Sequence, residues 1–244
     1  MLLVRELQSW WVHSPARVGG WTLLCALGLA SAAVAPAAAQ EPEPAWRLRE
    51  TDPAVPVSVY LRERPGAVPA FRATTVIEAP LSALAAVLLD AGHTRDWVYR
   101  ARSAELLHSD GPTRGVTLVI TGMPFPLADR EALVAWEMTQ DAQTLAVTLA
   151  GHSAPDALPP HPDRVRMPAF ESRWTLTPRP DGRVDVVFEG QGDPGGNLDS
   201  PLLRHFVSAA AWEAPWHTVR ALHEIVRRPE YARAQLDFIR EPPR

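Results

Sequence analysis

Apolar and polar positions alternate with a period of two over many short stretches, the pattern of antiparallel strands that bury one face. Val57, Val59 and Leu61 alternate with Ser58, Tyr60 and Arg62, and Phe71, Ala73, Thr75 and Ile77 alternate with Arg72, Thr74, Val76 and Glu78. A third stripe is Val116, Leu118 and Ile120; a fourth is Ala132, Val134, Trp136 and Met138, set against Glu131 and Glu137. Leu145, Val147 and Leu149 follow, then Phe170, Ser172, Trp174 and Leu176, then Val184, Val186 and Phe188. Pro180-Asp181-Gly182 predicts a hairpin turn between the last two, with Gly182 supplying a positive φ.

Two segments switch to a helical period. Pro80 stands where a helix can begin without losing a hydrogen bond, and Leu81, Leu84, Ala85 and Leu88 then share one face. Asp199-Ser200-Pro201 reads as an N-cap and first turn of a second helix running to about Arg228, with Leu203, Phe206, Val207, Ala210 and Ala214 on one stripe. Pro215 should kink it, Pro229 should end it, and a short amphipathic tail from Tyr231 to Ile239 follows. A single curved sheet cannot bury its inner face alone, so the long C-terminal helix must cover it. The expected fold is α+β: a helix-grip, a curved antiparallel sheet wrapped around a long C-terminal helix, with the space between them either packed or hollow.

The N-terminus changes the accounting. Arg5 and Arg17 precede an apolar run from Trp21 to Val34, and Ala37-Ala38-Ala39 precede Gln40. That order reads as a secretory signal peptide, residues 1–39, cleaved after Ala39, making the protein periplasmic or secreted. An uncleaved anchor, with Trp10 and Trp11 at a membrane interface, is the alternative. The remaining 205 residues divide into an extended linker and N-terminal segment (40–55), one domain (56–228) and a short tail (229–244). They carry 22 arginines and 27 acidic residues, with no lysine anywhere in the chain. A mildly acidic domain without a basic run argues against nucleic acid, and the lack of lysine excludes Schiff-base chemistry. Cys25, the only cysteine, falls in the signal, which excludes a disulfide, a thiol nucleophile or a thiolate metal site in the mature chain.

Three motifs resemble the START (steroidogenic acute regulatory-related lipid transfer) domains, across roughly Val57 to Val226. The helix from Ala79-Pro80-Leu81 to Asp90 runs into His93-Thr94-Arg95-Asp96-Trp97, like that family's leucine-rich helix and following Arg and Trp. Pro124-Phe125-Pro126-Leu127-Ala128-Asp129-Arg130-Glu131 resembles its Pro-rich turn and Arg-Asp step, with Glu131 in place of Asp. Gly192-Asp193-Pro194-Gly195-Gly196-Asn197, then Pro201-Leu202-Leu203, is similar to the turn leading into its C-terminal helix. The resemblance implies a helix-grip around one deep lipid or sterol cavity, gated by Pro201–Val226 and by the loop Gly151–Asp163. Trp136 stands where steroid-carrying members have an arginine, which removes that polar contact for a sterol.

The seven inner stripes offer no carboxylate or histidine, and their polar exceptions are Thr75, Ser172 and, at the start of the fourth, Arg130. Acid–base chemistry needs a titratable group inside; an apolar cavity with few polar groups suits a hydrophobic ligand. The expected lining is Phe71, Leu118, Ile120, Arg130, Val134, Trp136, Val147, Leu149, Phe170, Ser172, Trp174, Phe188, Phe206 and Ala210. Arg130 is in phase to meet a lipid phosphate or carboxylate, or else forms an ion pair with Asp129, Asp96 or Glu189. His205, His217 and His223 are spaced 12 and 6 apart, unlike helix-borne metal ligands, and His152 and His161 lie in a Pro-rich loop. The sequence therefore predicts a monomeric, non-enzymatic carrier of one hydrophobic small molecule, without cofactor or metal and with transient membrane contact. Two other outcomes fit the pattern: a cyclase- or hydrolase-like enzyme using Arg130 and His152, and a packed interaction module without a cavity.

Overall fold

The computed structural model describes residues 44–52, 54–196 and 199–243; the signal-peptide reading, with Cys25 and Ala39, concerns residues outside these. The chain forms β1 (Arg47–Asp52), β2 (Val57–Arg62), β3 (Ala70–Ile77), α1 (Leu81–Leu89) and a 3₁₀ turn over Ala91–Asp96. Then come β4 (Ala101–Ser109), β5 (Arg114–Thr121), β6 (Arg130–Gln140), β7 (Val147–Ser153), β8 (Val165–Arg166), β9 (Ala169–Pro178) and β10 (Val184–Asp193), closed by α2 (Pro201–Ile225) and α3 (Pro229–Ala232). Among the described residues the strands form one sheet in the order β1-β2-β3-β10-β9-β7-β6-β5-β4, antiparallel except that β8 runs parallel to β6. The sheet packs against α2, and the fold is the α+β helix-grip.

The core is set by the alternating stripes. Val57, Val59, Ala73, Ile77, Leu176, Val184 and Val186 pack with Leu84 and Val87 of α1 and Val219, Leu222 and Ile225 of α2. Each fully buried aliphatic side chain of this kind stabilises the fold by roughly 1.5–3 kcal/mol. His223 of α2 reaches Thr75 of β3 at 2.8 Å, so the one buried polar position of that stripe is satisfied from the helix.

Several elements differ from the sequence reading. Residues 47–52, inside the stretch expected to be an extended lead-in, form the edge strand β1 paired with β2. Strand β4, at the other edge, lacks clean alternation because much of it faces solvent on both sides, Leu106 included. Helix α1 is buried all round rather than on one face, because the C-terminal segment covers its far side through Tyr231 and Ile239. Glu241 accepts hydrogen bonds from the Leu81 and Ser82 N–H groups at 3.0 and 2.7 Å, so the segment expected as a short tail caps α1, whose N-cap Pro80 has no side-chain acceptor. Helix α2 stops at Ile225, about a turn early, and runs through Pro215.

The loop following β7 is also elsewhere than expected. Residues 154–164 fold against Glu131, and none of them borders the cavity described below. Glu131 is 2% exposed. Its carboxylate pairs with Arg166 at 2.8 Å and Arg164 at 3.7 Å and accepts from the His161 N–H at 3.0 Å. Arg166 in turn donates to the Pro155, Leu158 and Pro159 carbonyls, tying the loop down.

Candidate functional site: an apolar cavity between sheet and helix

A cavity of about 400 Å³ lies between the inner face of the sheet and α2. It exists because both walls carry small residues where a packed core would carry large ones. On the helix these are Ala210, Ala211 and Ala214. On the sheet, one cross-strand row runs Gly115–Trp136–Gly151–Ser172–Gly190–Phe71. The glycines let the aromatics lie flat on the sheet: a Cβ on Gly190 would come within 2.5 Å of the Phe71 ring, and one on Gly115 within 2.7 Å of Trp136. Period-two reading sees a glycine as a gap in a stripe, and so misses that the gap shapes the wall.

Of the expected lining residues, Phe71, Arg130, Val134, Trp136, Leu149, Phe170, Ser172, Trp174, Phe188, Phe206 and Ala210 border the cavity. Leu118, Ile120 and Val147 do not. Register pairs Thr117 with Val134, Val119 with Ala132 and Thr121 with Arg130, so β5 turns these residues inward and points Leu118 and Ile120 outward. The more apolar set lies outside because that face is itself partly buried: Ile120 pairs with the buried Glu131, and the half-buried Leu118 with the buried Leu133. Val147 is on the inner face but fully buried in the packed core below the cavity. The sequence reading also missed the wall made by the end of α1 and the 3₁₀ turn, including Leu88, Thr94 and Trp97.

The floor is aromatic. Trp174 and Phe188 stack at 3.9 Å, Phe71 meets Phe188 edge-on at 4.8 Å, and Trp97 meets Trp174 edge-on at 5.9 Å. The Trp97 Nε1–H is buried without a hydrogen-bond acceptor, whereas the Trp136 Nε1–H donates to Thr117 Oγ1 at 3.0 Å. His152 is exposed on the opposite side of β7 from Gly151 and does not converge with Arg130. Arg130 forms no ion pair with Asp129, Asp96 or Glu189; Asp96 binds Arg228 and Glu189 binds Arg72. Its guanidinium donates to the Ala128, Pro194 and Gly195 carbonyls at 2.5, 3.2 and 3.5 Å. Among the described residues no group of three His, Cys, Asp or Glu side chains is placed to hold a metal ion.

A small apolar cluster borders the cavity mouth. Met123 packs with Leu203 and Val207 of α2, joined by Val68, Leu127 and Phe206, apart from the main core. Between Met123 and Leu127, Phe125 stands 97% exposed.

Comparison with known proteins agrees with this architecture. A bacterial STAR-related lipid transfer protein from Xanthomonas axonopodis superposes with a TM-score of 0.66 at 28% identity, covering 75% of this chain and 99% of that one. Human STARD10 gives 0.63 at 16% identity over 76% and 75%, a likeness of fold. An uncharacterised protein of Pseudomonas aeruginosa is 27% identical over 180 residues, 72% of this chain and 84% of that protein. Residues 69–221, from the start of β3 through most of α2, match the family described as polyketide cyclase / dehydrase and lipid transport, and the chain belongs to that family.

Proposed function

We propose that the protein binds, and transfers between membranes, one hydrophobic ligand (a lipid, fatty acyl or sterol-like molecule) held between sheet and α2. The observation that carries this reading is the cavity of about 400 Å³ with an aromatic floor and a small-residue roof. Burying an alkyl chain there gains about 25 cal/mol per Å² of apolar surface, before the cost of ordering the ligand. The described lining holds no carboxylate or histidine, so it lacks the acid–base pair that a cyclase or hydrolase would need. The cavity equally speaks against a packed interaction module.

Transfer requires the mouth to meet a membrane, and Phe125 beside the mouth cluster supplies an apolar wedge for it. On the export reading, this happens in an aqueous compartment outside the cytoplasm, with a mature N-terminus at Gln40. Native mass spectrometry of the chain purified from its own host, followed by organic extraction, tests the carrier reading. One lipid at about one-to-one stoichiometry is the expected result. A bare mass that persists after incubation with mixed membrane lipids would sink it.

A further inference from the structure

One charge in the cavity is left unexplained by hydrophobic binding alone. Arg130 is 4% exposed and borders the cavity beside the turn that leads into α2. Among the described residues, Asp129, Asp193 and Glu131 direct their hydrogen bonds elsewhere. Asp129 binds Arg102 at 2.7 Å and the Met123 N–H at 3.0 Å; Asp193 accepts from the Gly195 N–H at 2.8 Å; Glu131 is on the opposite face with Arg166. The guanidinium donates to three backbone carbonyls and retains donors that these do not take. Neutral carbonyls orient a cation without cancelling its charge, and the attraction of Asp129 offsets only part of the cost of burying it, so an arriving anion would relieve the rest. Gly196 leaves the space next to the guanidinium free, since a Cβ there would stand 3.4 Å from Nη2. The same glycine faces Leu203, which places the charge at the mouth end of the cavity.

Size adds a second constraint. A volume of about 400 Å³ lies towards the lower end of ligand pockets, which run from roughly 300 to 1,000 Å³, and favours one slender chain over two. We propose that the ligand is a single-chain amphiphile with an anionic head, a carboxylate or a phosphate, whose head lies on Arg130 and whose chain runs along Phe188 and Trp174 towards Trp97. This rests on the carrier reading and specifies its ligand.

The test uses hexadecanoic acid, hexadecyl phosphate and hexadecanol, which share one chain and differ in the head. Affinities are read below micellar concentrations from quenching of the cavity tryptophans. The acid or the phosphate should bind about tenfold or more tighter than the alcohol, as charge-assisted hydrogen bonds imply, and whichever is tighter names the head. Arg130→Gln should bring both anions down to the alcohol's affinity, while Arg130→Lys keeps a preference for anions. Because Arg130 also pins the turn, Arg130→Gln could fail to fold; the comparison of heads on the wild-type chain then decides alone. Equal affinity for all three overturns this proposal and leaves the carrier reading standing. A preference for anions that persists in folded Arg130→Gln overturns it too, and failure of all three to bind overturns both.

Discussion

Glu131 shows how one residue can hold a whole loop. Burial alone would raise its carboxyl pKa, but the His161 N–H and the Arg166 and Arg164 guanidinium groups outweigh that, and the net value falls below the ordinary 4.5. A carboxylate depressed on folding contributes stability that is complete above its unfolded value and is lost as pH falls through the folded one. The wild-type protein should therefore lose stability below about pH 4.5, and Glu131→Gln should flatten that part of the profile. At neutral pH the same variant should be destabilised by about 2–4 kcal/mol, because it leaves Arg166 buried beside a neutral group. Chemical denaturation across pH measures both; a neutral-pH stability equal to wild type would show that the ion pair does not hold the loop. The residue identity was visible in the sequence, but its setting was not. Alternation assigns Glu131 to solvent, and only the return of the chain from β7 to β8 covers it.

At the scale of elements, α2 is two helices in terms of support. Its C-terminal half is fixed by Val219, Leu222 and Ile225 in the core, and by Thr218, whose hydroxyl accepts the Tyr99 N–H at 3.1 Å. Its N-terminal half has thinner support: Leu203 and Val207 in the mouth cluster, Trp212 against the margin of the main core, and Glu213 accepting from the Tyr99 hydroxyl at 3.0 Å. Pro215 stands between them and removes one backbone hydrogen bond. Amide exchange should be faster before Pro215 than after it by about tenfold or more, because local opening tracks the number of buried apolar contacts. Mass-spectrometric exchange that protects residues 201–225 evenly would rule out an independently opening lid. The helix, its stripe and its proline were legible in the sequence, as were six of the seven inner stripes. Strand β5 was not, since it carries apolar residues towards two partly buried faces and period-two reading chooses the richer one. Strands β1 and β4 escaped because edge strands need bury little.

For the whole molecule, the lid and the wedge are neighbours, so docking at a membrane and opening of the cavity are expected at one end of the fold. Phe125→Ser should slow lipid transfer between vesicles about tenfold while leaving the melting temperature unchanged, because a side chain 97% exposed contributes little to the folded state. Transfer at the wild-type rate would assign Phe125 no part in it. At the opposite end, Glu241 caps a helix 160 residues earlier in the chain. Glu241→Ala should lower stability by about 1 kcal/mol, read from the denaturant midpoint, as loss of an N-terminal cap does. The consequence concerns the order of synthesis. Leu88 and Leu89, which wall the cavity, belong to the helix that Glu241 completes. A nascent chain can pair its strands as they emerge, but the helix that walls the cavity stays uncapped until Glu241, 160 residues later, has been translated. On the carrier reading, loading waits on a residue far along the chain from the strands that line the cavity.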